Sequence, residues 1–229
     1  VDVLLGPAFN IKRDPLNGRN FEYLTEDPYL NGRLAASIVK GIQSEGVGVS
    51  IKHYAVNNQE TNRMSINEVV SERALREIYL SAFEYVVKNS DPWTVMSSYP
   101  KINGTHGAQN KYLLTDILKN EWKFNGFVMS DWFAVKDAVA AVNAGNDLIM
   151  PGGPKWGGQG DTSDDVLAGL KNGTIKEADI DKNIKNILKI VLKSLSFKVD
   201  LPTNKPDLKS NVEIVRKTAS VGMVLLKNV

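Results

Sequence analysis

The chain lacks cysteine entirely and has only two histidines among its 229 residues. Without cysteine, disulfides, thiolate-ligated zinc and thiol catalysis are excluded. The two histidines do not occur at the spacing of a ligand pair, so we expect no metal site. A chain without disulfides fits the cytosol, but many secreted enzymes also lack them, so this absence favours the cytosol without deciding the compartment.

Long apolar runs and an excess of one charge are also missing. No run approaches the roughly 20 apolar residues of a membrane-spanning helix. The 28 basic and 26 acidic residues nearly balance, at a net charge of +2, and no basic tract stands out. We therefore expect neither a membrane nor a nucleic acid as a partner. The glycine-rich loop 152–160 lacks the Lys-Ser/Thr ending of a phosphate loop, so no nucleotide cofactor is expected.

The residues that are present alternate between short apolar strands and amphipathic helices. The predicted strands are 1–9, 46–51, 93–97, 127–129 and 146–150, and the predicted helices begin near Pro28 and then span 65–87, 110–122, 133–142, 164–171 and 177–195. This alternation predicts βαβ units and a parallel sheet whose strands are buried on both faces. The five strand–helix units are fewer than the eight of a TIM barrel. The expected fold class is therefore α/β, an incomplete TIM-like barrel with its first units missing.

A change in composition divides the chain near residue 198. Residues 1–197 are expected to be the C-terminal part of a TIM-like barrel catalytic domain, and the chain starts inside that domain, because its first strand has no start signal. Residues 198–210 are polar and contain two prolines, which is typical of a linker. Residues 211–229 predict the beginning of a second domain, with a helix at 212–220 and a strand at 221–226.

Polar side chains follow the ends of successive predicted strands. In a TIM barrel the chemistry lies at the C-terminal ends of the strands. Just past these ends the chain places Asn10, Arg19, Lys52, His53, Arg63, Tyr99, Asp131 and Trp132. We expect them to line one polar pocket with Asp131 as its acidic centre. Glu60 lies in a polar loop and is expected at the surface.

Each of these side chains also has a structural alternative. The alternatives are a helix N-cap for Asp131, core packing for Trp132, solvated charges for Lys52 and Arg63, a buried structural role for His53, a turn before Pro100 for Tyr99, and a local ion pair with Glu22 or Asp27 for Arg19. The shared position at one end of the strands weighs against all of them jointly. On its own, that position predicts only a polar pocket.

Four motifs occur in order along the chain: GRNFE (18–22), IKHYAVNNQETNR (51–63), VMSSY (95–99) and GFVMSDW (126–132). In sequence and spacing they resemble glycoside hydrolase family 3, in its β-glucosidase branch, and the resemblance runs through nearly the whole chain. Such proteins have an N-terminal TIM-like barrel, a linker and an α/β sandwich, so the resemblance implies that 211–229 begin the sandwich. The KHFPGHG-like loop of the N-acetylglucosaminidase branch is missing, which argues against that branch.

The resemblance implies a retaining exo-glycosidase that releases terminal glucose from β-glucosides or short oligosaccharides without a cofactor. Asp131 matches the family's nucleophile, which forms a covalent glycosyl-enzyme. The matches to sugar-binding or nucleophile-steadying positions are Arg19, Lys52, His53, Arg63 and Tyr99, and the matches to apolar walls of the sugar pocket are Met96 and Trp132. Nearby cations are expected to favour an ionised Asp131.

A retaining enzyme also needs a second carboxylate, roughly 5 Å from the first, as general acid/base. The resemblance implies that this residue is a glutamate of the sandwich domain, beyond Val229, and that further sugar-binding residues lie upstream of Val1. The expected partners are therefore a small carbohydrate and the remainder of the same protein, namely the upstream barrel units and the sandwich. The alternatives are a β-xylosidase or another exo-glycosidase of the family, and a non-catalytic sugar-binding fragment.

Overall fold

Parallel strands form the main sheet of the structure, a computed structural model that describes residues 1–158, 160–198 and 207–228. In chain order the strands are β1 Val3–Leu4, β2 Gly48–Tyr54, β3 Asn67–Glu68, β4 Thr94–Ser97, β5 Lys101–Ile102, β6 Thr105–His106 and β7 Phe127–Met129. The main sheet has the order β1-β2-β4-β7 and all its pairs are parallel. The strands β3, β5 and β6 form a small separate sheet. Helices connect the parallel strands, which confirms the predicted α/β class.

The helices lie between and after these strands. In chain order they are α1 Pro28–Ser44, α2 Glu72–Ala74, α3 Ser81–Ser90, α4 Ala138–Ala144, α5 Thr162–Asn172, α6 Glu177–Lys193, α7 Leu195–Lys198 and α8 Leu208–Gly222, with π-helical segments at Leu75–Tyr79 and Tyr112–Glu121 and a 3₁₀ turn at Gly107–Gln109. The start of α1 follows local rules, because Asp27 accepts a hydrogen bond from the backbone N–H of Leu30 at 2.6 Å and Pro28 needs no partner there. Among the described helices, none has the length and apolar character to cross a membrane.

Side chains of β4 and β7 alternate between two apolar clusters, as successive residues of a strand must. Val95 and Val128 join the larger cluster, which packs the sheet against the surrounding helices. Met96 and Met129 point to the opposite face and join a smaller cluster that includes helix α6. Trp132 packs against this second cluster. The strands therefore place an apolar surface directly beside the residues that follow β7.

The predicted fifth strand, 146–150, is wrong in its extent. Within the described residues, only Leu148 of this stretch makes a strand bridge, and its partner is Met129. The carboxylate of Asp147 accepts the backbone N–H of Val128 at 2.7 Å, and other backbone groups nearby bond to side chains as well. Side-chain oxygens thus accept hydrogen bonds from backbone N–H groups that would bond to backbone carbonyls in a regular pair of strands.

Two predicted helices begin later than expected. The helices predicted at 65–87 and 133–142 start only where an N-cap side chain is available, at Ser71 before α2 and at Asp137 before α4. Each of these side chains accepts a hydrogen bond from a backbone N–H of the first turn. A cap satisfies donors that a helix end otherwise leaves free, so it fixes where the helix begins.

The chain divides into two compact units, Val1–Lys198 and Val199–Val229, and the second unit contains α8. Asp207 caps this helix by accepting from the backbone N–H groups of Lys209 and Ser210, at 3.1 and 3.2 Å, so the helix begins before the predicted residue 212. Of the predicted linker 198–210, residues 199–206 lie outside the described residues.

The strand predicted at 221–226 is wrong. Helix α8 continues to Gly222, and residues 223–228 have no regular structure. A strand is stable only when a neighbouring strand pairs with its backbone. The described part of this unit supplies no such neighbour, and an apolar run alone carries no information about a partner.

Candidate active site

Asp131 lies two residues beyond β7 and its side chain is almost fully enclosed, since the residue is only 7% exposed. Its Oδ1 accepts hydrogen bonds from the Tyr99 hydroxyl at 3.0 Å and from the backbone N–H of Trp132 at 2.8 Å. Its Oδ2 is buried and has no hydrogen-bond partner among the described residues. The N-cap alternative for Asp131 is excluded, because Asp137 caps the next helix. One oxygen is therefore held and the other is available for chemistry.

Burial governs the protonation of Asp131. Removal from water raises the pKa of this carboxyl above its usual value, because the charged form loses hydration. The hydrogen bonds from Trp132 and Tyr99, and the charges of Arg19 and Arg63, act in the opposite direction. The cations thus favour the ionised form as expected from the sequence, but burial has the larger effect on the pKa of Asp131.

His53 lies beside the free oxygen of Asp131. Its Nε2 is 3.6 Å from Oδ2, and the side chain is 1% exposed. Burial, together with Arg19, Lys52 and Arg63, lowers the pKa of His53 well below its usual value, so the imidazole is neutral at neutral pH. The contact between His53 and Asp131 is therefore not an ion pair. A neutral imidazole offers either one donor or one acceptor at this nitrogen, depending on its tautomer.

Asn10 and the end of β2 fix the position of His53. Asn10 Oδ1 accepts the backbone N–H of His53 at 2.9 Å, and Asn10 Nδ2 donates to the His53 carbonyl at 2.9 Å. Lys52 and His53 belong to β2 itself rather than to the loop after it. The pairing register of β2 against β4 shifts between Ile51 and Tyr54. Because of this irregular strand end, two consecutive side chains both reach the site.

Arg63 connects Glu60 to Tyr99. Its Nη1 lies 2.6 Å from Glu60 Oε2, and its guanidinium carbon lies 4.6 Å from the centre of the Tyr99 ring, a cation–π distance. Glu60 is half-buried rather than exposed, so the surface prediction is wrong. The chain turns between these two residues, with the Arg63 N–H donating to the Glu60 carbonyl, and this turn brings the carboxylate to the guanidinium.

Tyr99 is a protonated donor to the carboxylate. The residue is 6% exposed, and burial followed by the charge of Asp131 raises its pKa above the usual value. The hydroxyl therefore keeps its proton at neutral pH and donates it to Asp131. A role confined to the turn before Pro100 does not account for this contact.

Glu22 joins Arg19 to Lys52. It accepts a hydrogen bond from Arg19 Nε, and its second oxygen lies 3.8 Å from Lys52 Nζ. The side chains of Arg19, Lys52 and Glu22 are 17%, 18% and 21% exposed, so none is a freely solvated charge. The local pair of Arg19 with Glu22, one of the alternatives from sequence, is present, but it extends to Lys52 and is part of the site. We call Arg19, Lys52 and Arg63 the cation cluster.

Apolar side chains complete the site. Met96 is 2% exposed, and Trp132 is half-buried against the same apolar cluster. Next to Trp132 is a cavity of about 390 Å³ lined by Arg63, Met64, Tyr99, Trp132, Phe133 and Trp156. Phe133 and Trp156 pack edge to face at 5.0 Å. Sequence reasoning missed these two residues, because Trp156 lies in a glycine-rich loop with no strand end to mark it.

The structure connects the predicted site residues to Asp131, either directly or through neighbouring side chains. Direct contacts to its side chain come from Tyr99, Trp132 and His53, while the cation cluster is held by Glu22 and Glu60. Neither glutamate was expected in the site from the sequence. No group of three or more candidate metal ligands occurs in the part of the chain that the structure describes.

Known proteins resemble this chain over most of its length. The family model described as "Glycosyl hydrolase family 3 N terminal domain" matches residues 1–190. A thermostable β-glucosidase B from Acetivibrio thermocellus is 47% identical over all of this chain and 29% of its own length. An exo-α-(1→6)-L-arabinopyranosidase from Bifidobacterium longum is 46% identical over the same shares.

Solved structures give the same result. β-Glucosidase 3B from Thermotoga neapolitana in complex with glucose has a TM-score of 0.94 and 51% identity, covering all of this chain and 32% of that one. A β-glucosidase from Kluyveromyces marxianus in complex with glucose has a TM-score of 0.89 and 41% identity, covering 99% and 28%. The chain thus spans about three-tenths of the length of these relatives. It belongs to glycosyl hydrolase family 3.

Proposed function

We propose that this chain carries the nucleophile and part of the sugar pocket of a retaining, exo-acting glycoside hydrolase that releases terminal glucose from β-glucosides or short oligosaccharides. The observation that carries the proposal is the arrangement at Asp131, a buried carboxylate with one oxygen held by Tyr99 and Trp132. Its other oxygen has no hydrogen-bond partner among the described residues. The family, and relatives named β-glucosidases, support the same activity.

In the proposed reaction, Oδ2 of the ionised Asp131 attacks the anomeric carbon of the terminal sugar. The bond from that carbon to the glycosidic oxygen breaks, and the leaving oxygen takes a proton from the general acid. The result is a sugar ester of Asp131. Water then attacks the same carbon and gives its proton to the same residue, now a base, so that Asp131 returns as a carboxylate.

The remaining side chains are proposed to bind the sugar. The cation cluster supplies N–H donors to hydroxyl groups, with charge-assisted hydrogen bonds. His53 supplies a neutral imidazole next to the reacting oxygen. Met96 and Trp132 supply the apolar surface on which the C–H face of the ring rests. No cofactor or metal takes part in this proposal.

The general acid/base is proposed to lie outside the described residues. The two other carboxylates of the site are already engaged, Glu22 with Arg19 and Lys52 and Glu60 with Arg63. Neither residue therefore fits the second role that a retaining mechanism requires.

The fold also supports the proposal that the barrel and the sandwich domain include residues outside this chain. We propose that Val1–Lys198 is the later part of a TIM-like barrel, since β1 and β7 end the described sheet without pairing with each other. Residues 198–210 and 211–229 are proposed as a linker and the start of a sandwich domain. The relatives are about three times longer than the matched region, which leaves room for upstream units and a sandwich.

One observation favours a second sugar. A relative almost as similar as the β-glucosidase is named an exo-α-(1→6)-L-arabinopyranosidase. Arabinopyranose is therefore a second candidate beside glucose, and xylose is tested with both. A panel of aryl glycosides measures this directly, and the highest kcat/KM identifies the preferred sugar.

A trapping experiment tests the mechanism. An activated 2-deoxy-2-fluoro-β-glucoside forms a long-lived ester with the nucleophile of a retaining enzyme. With the protein that carries this chain, we expect one fluoroglucosyl group in the intact mass, and peptide mapping should place it on Asp131. The Asp131→Asn variant should take up none. Asp137→Asn, the same substitution at an exposed helix cap that asparagine also fits, should be labelled like the wild type.

The outcomes separate the alternatives. Labelling at another carboxylate would refute Asp131 as nucleophile. Binding of glucose without any labelling or turnover would support the non-catalytic alternative. An inverted anomer in the released sugar would exclude the covalent mechanism.

A further inference from the structure

Glu22 is a charged side chain of the site for which the proposed reaction has no use. It is neither nucleophile nor acid/base, yet it is largely enclosed, with 21% of its side chain exposed. Its partners come from different parts of the chain: Arg19 lies three residues before it, whereas Lys52 lies in β2. A carboxylate that only closed its own loop would need no contact with β2.

The charge of the cation cluster creates a problem for glycoside chemistry. The transition state carries positive charge at the anomeric carbon and ring oxygen. Cations held nearby in an enclosed pocket repel that charge, because the effective dielectric constant there is lower than in water. The same cations are useful as donors to sugar hydroxyls. A partner carboxylate beside them reduces the repulsion and leaves their other N–H donors available.

We propose that Glu22 is a positioning residue that holds Arg19 and Lys52 and offsets their charge against the positive charge of the reacting sugar. This inference rests on the proposed function and names a residue that the sugar does not touch. Glu60 stands in the same relation to Arg63 only, through a single contact of 2.6 Å. Glu22 contacts two of the three cations of the cluster, whereas Glu60 contacts one.

Two ligands of different charge separate this role from a merely structural one. Glucose is neutral. Isofagomine is a piperidine of similar shape that carries a protonated amine in place of the anomeric carbon, a CH₂ group in place of the ring oxygen, and no 2-hydroxyl. Loss of shape or of loop order weakens the hydrogen bonds to the hydroxyl groups that both ligands share. Loss of the offsetting negative charge weakens the cationic ligand more.

The test is calorimetric titration of both ligands into the wild-type protein that carries this chain and into three variants. Glu22→Gln keeps the size of the side chain and removes its charge. Glu22→Asp keeps the charge. Glu26→Gln removes the same charge from an exposed position nearby. Titrations are run at a pH where isofagomine is protonated, so turnover is not needed.

We expect Glu22→Gln to lose about tenfold more affinity for isofagomine than for glucose, a difference of about 1.4 kcal/mol in binding free energy. Glu22→Asp should restore most of the difference, and Glu26→Gln should leave both affinities unchanged. An equal loss for the two ligands, or no loss, would overturn the charge-offset role while leaving the proposed function intact. If the wild type binds neither ligand, the proposed function fails and this inference fails with it.

Discussion

The hydroxyl of Tyr99 gives the sharpest test of the electrostatics of this site. Tyr99→Phe removes one hydrogen bond, of 3.0 Å, to Oδ1 of Asp131 and leaves the aromatic ring beneath Arg63. A hydrogen bond to a charged group contributes about 1.5–3 kcal/mol. Both residues are more than nine-tenths buried, so solvent screens this bond little. We use the lower end of that range, because water can enter the space left by the hydroxyl.

The sign of the effect follows from the state that the bond favours. The Tyr99 hydroxyl lowers the pKa of Asp131, opposing the effect of burial. Without it the pKa of Asp131 rises further, and a loss of about 1.5 kcal/mol corresponds to about one pKa unit. In the proposed reaction Asp131 attacks only when ionised, so the acid limb of kcat/KM should move about one unit to higher pH. This limb reports the free enzyme.

The assay is kcat/KM against pH with an aryl β-glucoside whose leaving group needs no general acid. Tyr112→Phe is the matched control, since it removes an exposed hydroxyl that bonds to Glu72 and Arg76 and should leave the limb in place. An acid limb that stays fixed or moves to lower pH in Tyr99→Phe would refute the assignment of that limb to Asp131. The reasoning about its hydrogen bond would then fail as well.

Three further perturbations have definite expected outcomes. Glu60→Gln releases Arg63 from its ion pair and should raise KM for β-glucosides about tenfold, the effect of losing about 1.4 kcal/mol, with a smaller change in kcat, as steady-state kinetics will show. Asp131→Asn should raise the free energy of unfolding at neutral pH, because it removes a charge whose burial is unfavourable. Because burial raises the folded pKa, that gain should vanish as pH falls through it, which thermal melts across pH measure. Lys119→Met strips a buried partner, 2.7 Å away, from Asp147 and should cost roughly 3–5 kcal/mol in a denaturant titration.

The strands β4 and β7 and the position of Asp131, the proposed nucleophile, could be predicted from the sequence, because they follow local rules. The apolar run 127–129 ends in Ser130 and Asp131, and a buried parallel strand delivers the residues after it to one end of the sheet. Tyr99 and Trp132 follow from the same argument. The role proposed for each of these residues came from the resemblance of the motifs to the family, because the periodicity of the sequence indicates only where the residues lie.

The link from Glu22 to Lys52 could not be predicted, because it joins distant parts of the chain, whereas Arg19–Glu22 and Arg63–Glu60 are local pairs three residues apart. Glu22 and Glu60 lie in polar loops, where a carboxylate is ordinarily solvated. Glu22 contacts Lys52 at the irregular end of β2. No local sequence pattern marks the shift in the pairing register of β2 against β4. The strand predicted at 221–226 is wrong for a similar reason. Whether an apolar run forms a strand depends on a neighbouring strand that pairs with it, and the sequence of the run does not specify that neighbour.

The opposing influences on Asp131 match the two halves of the proposed reaction. In the first half the carboxylate must attack, and burial favours this by raising its basicity. In the second half the same carboxylate must leave the sugar, and groups that stabilise its negative charge favour departure. Tyr99, the backbone N–H of Trp132, Arg19 and Arg63 are such groups. A site with burial alone would form the ester and release it slowly, and a site with donors alone would hold a carboxylate too weak to attack. Both influences must therefore act on this one side chain.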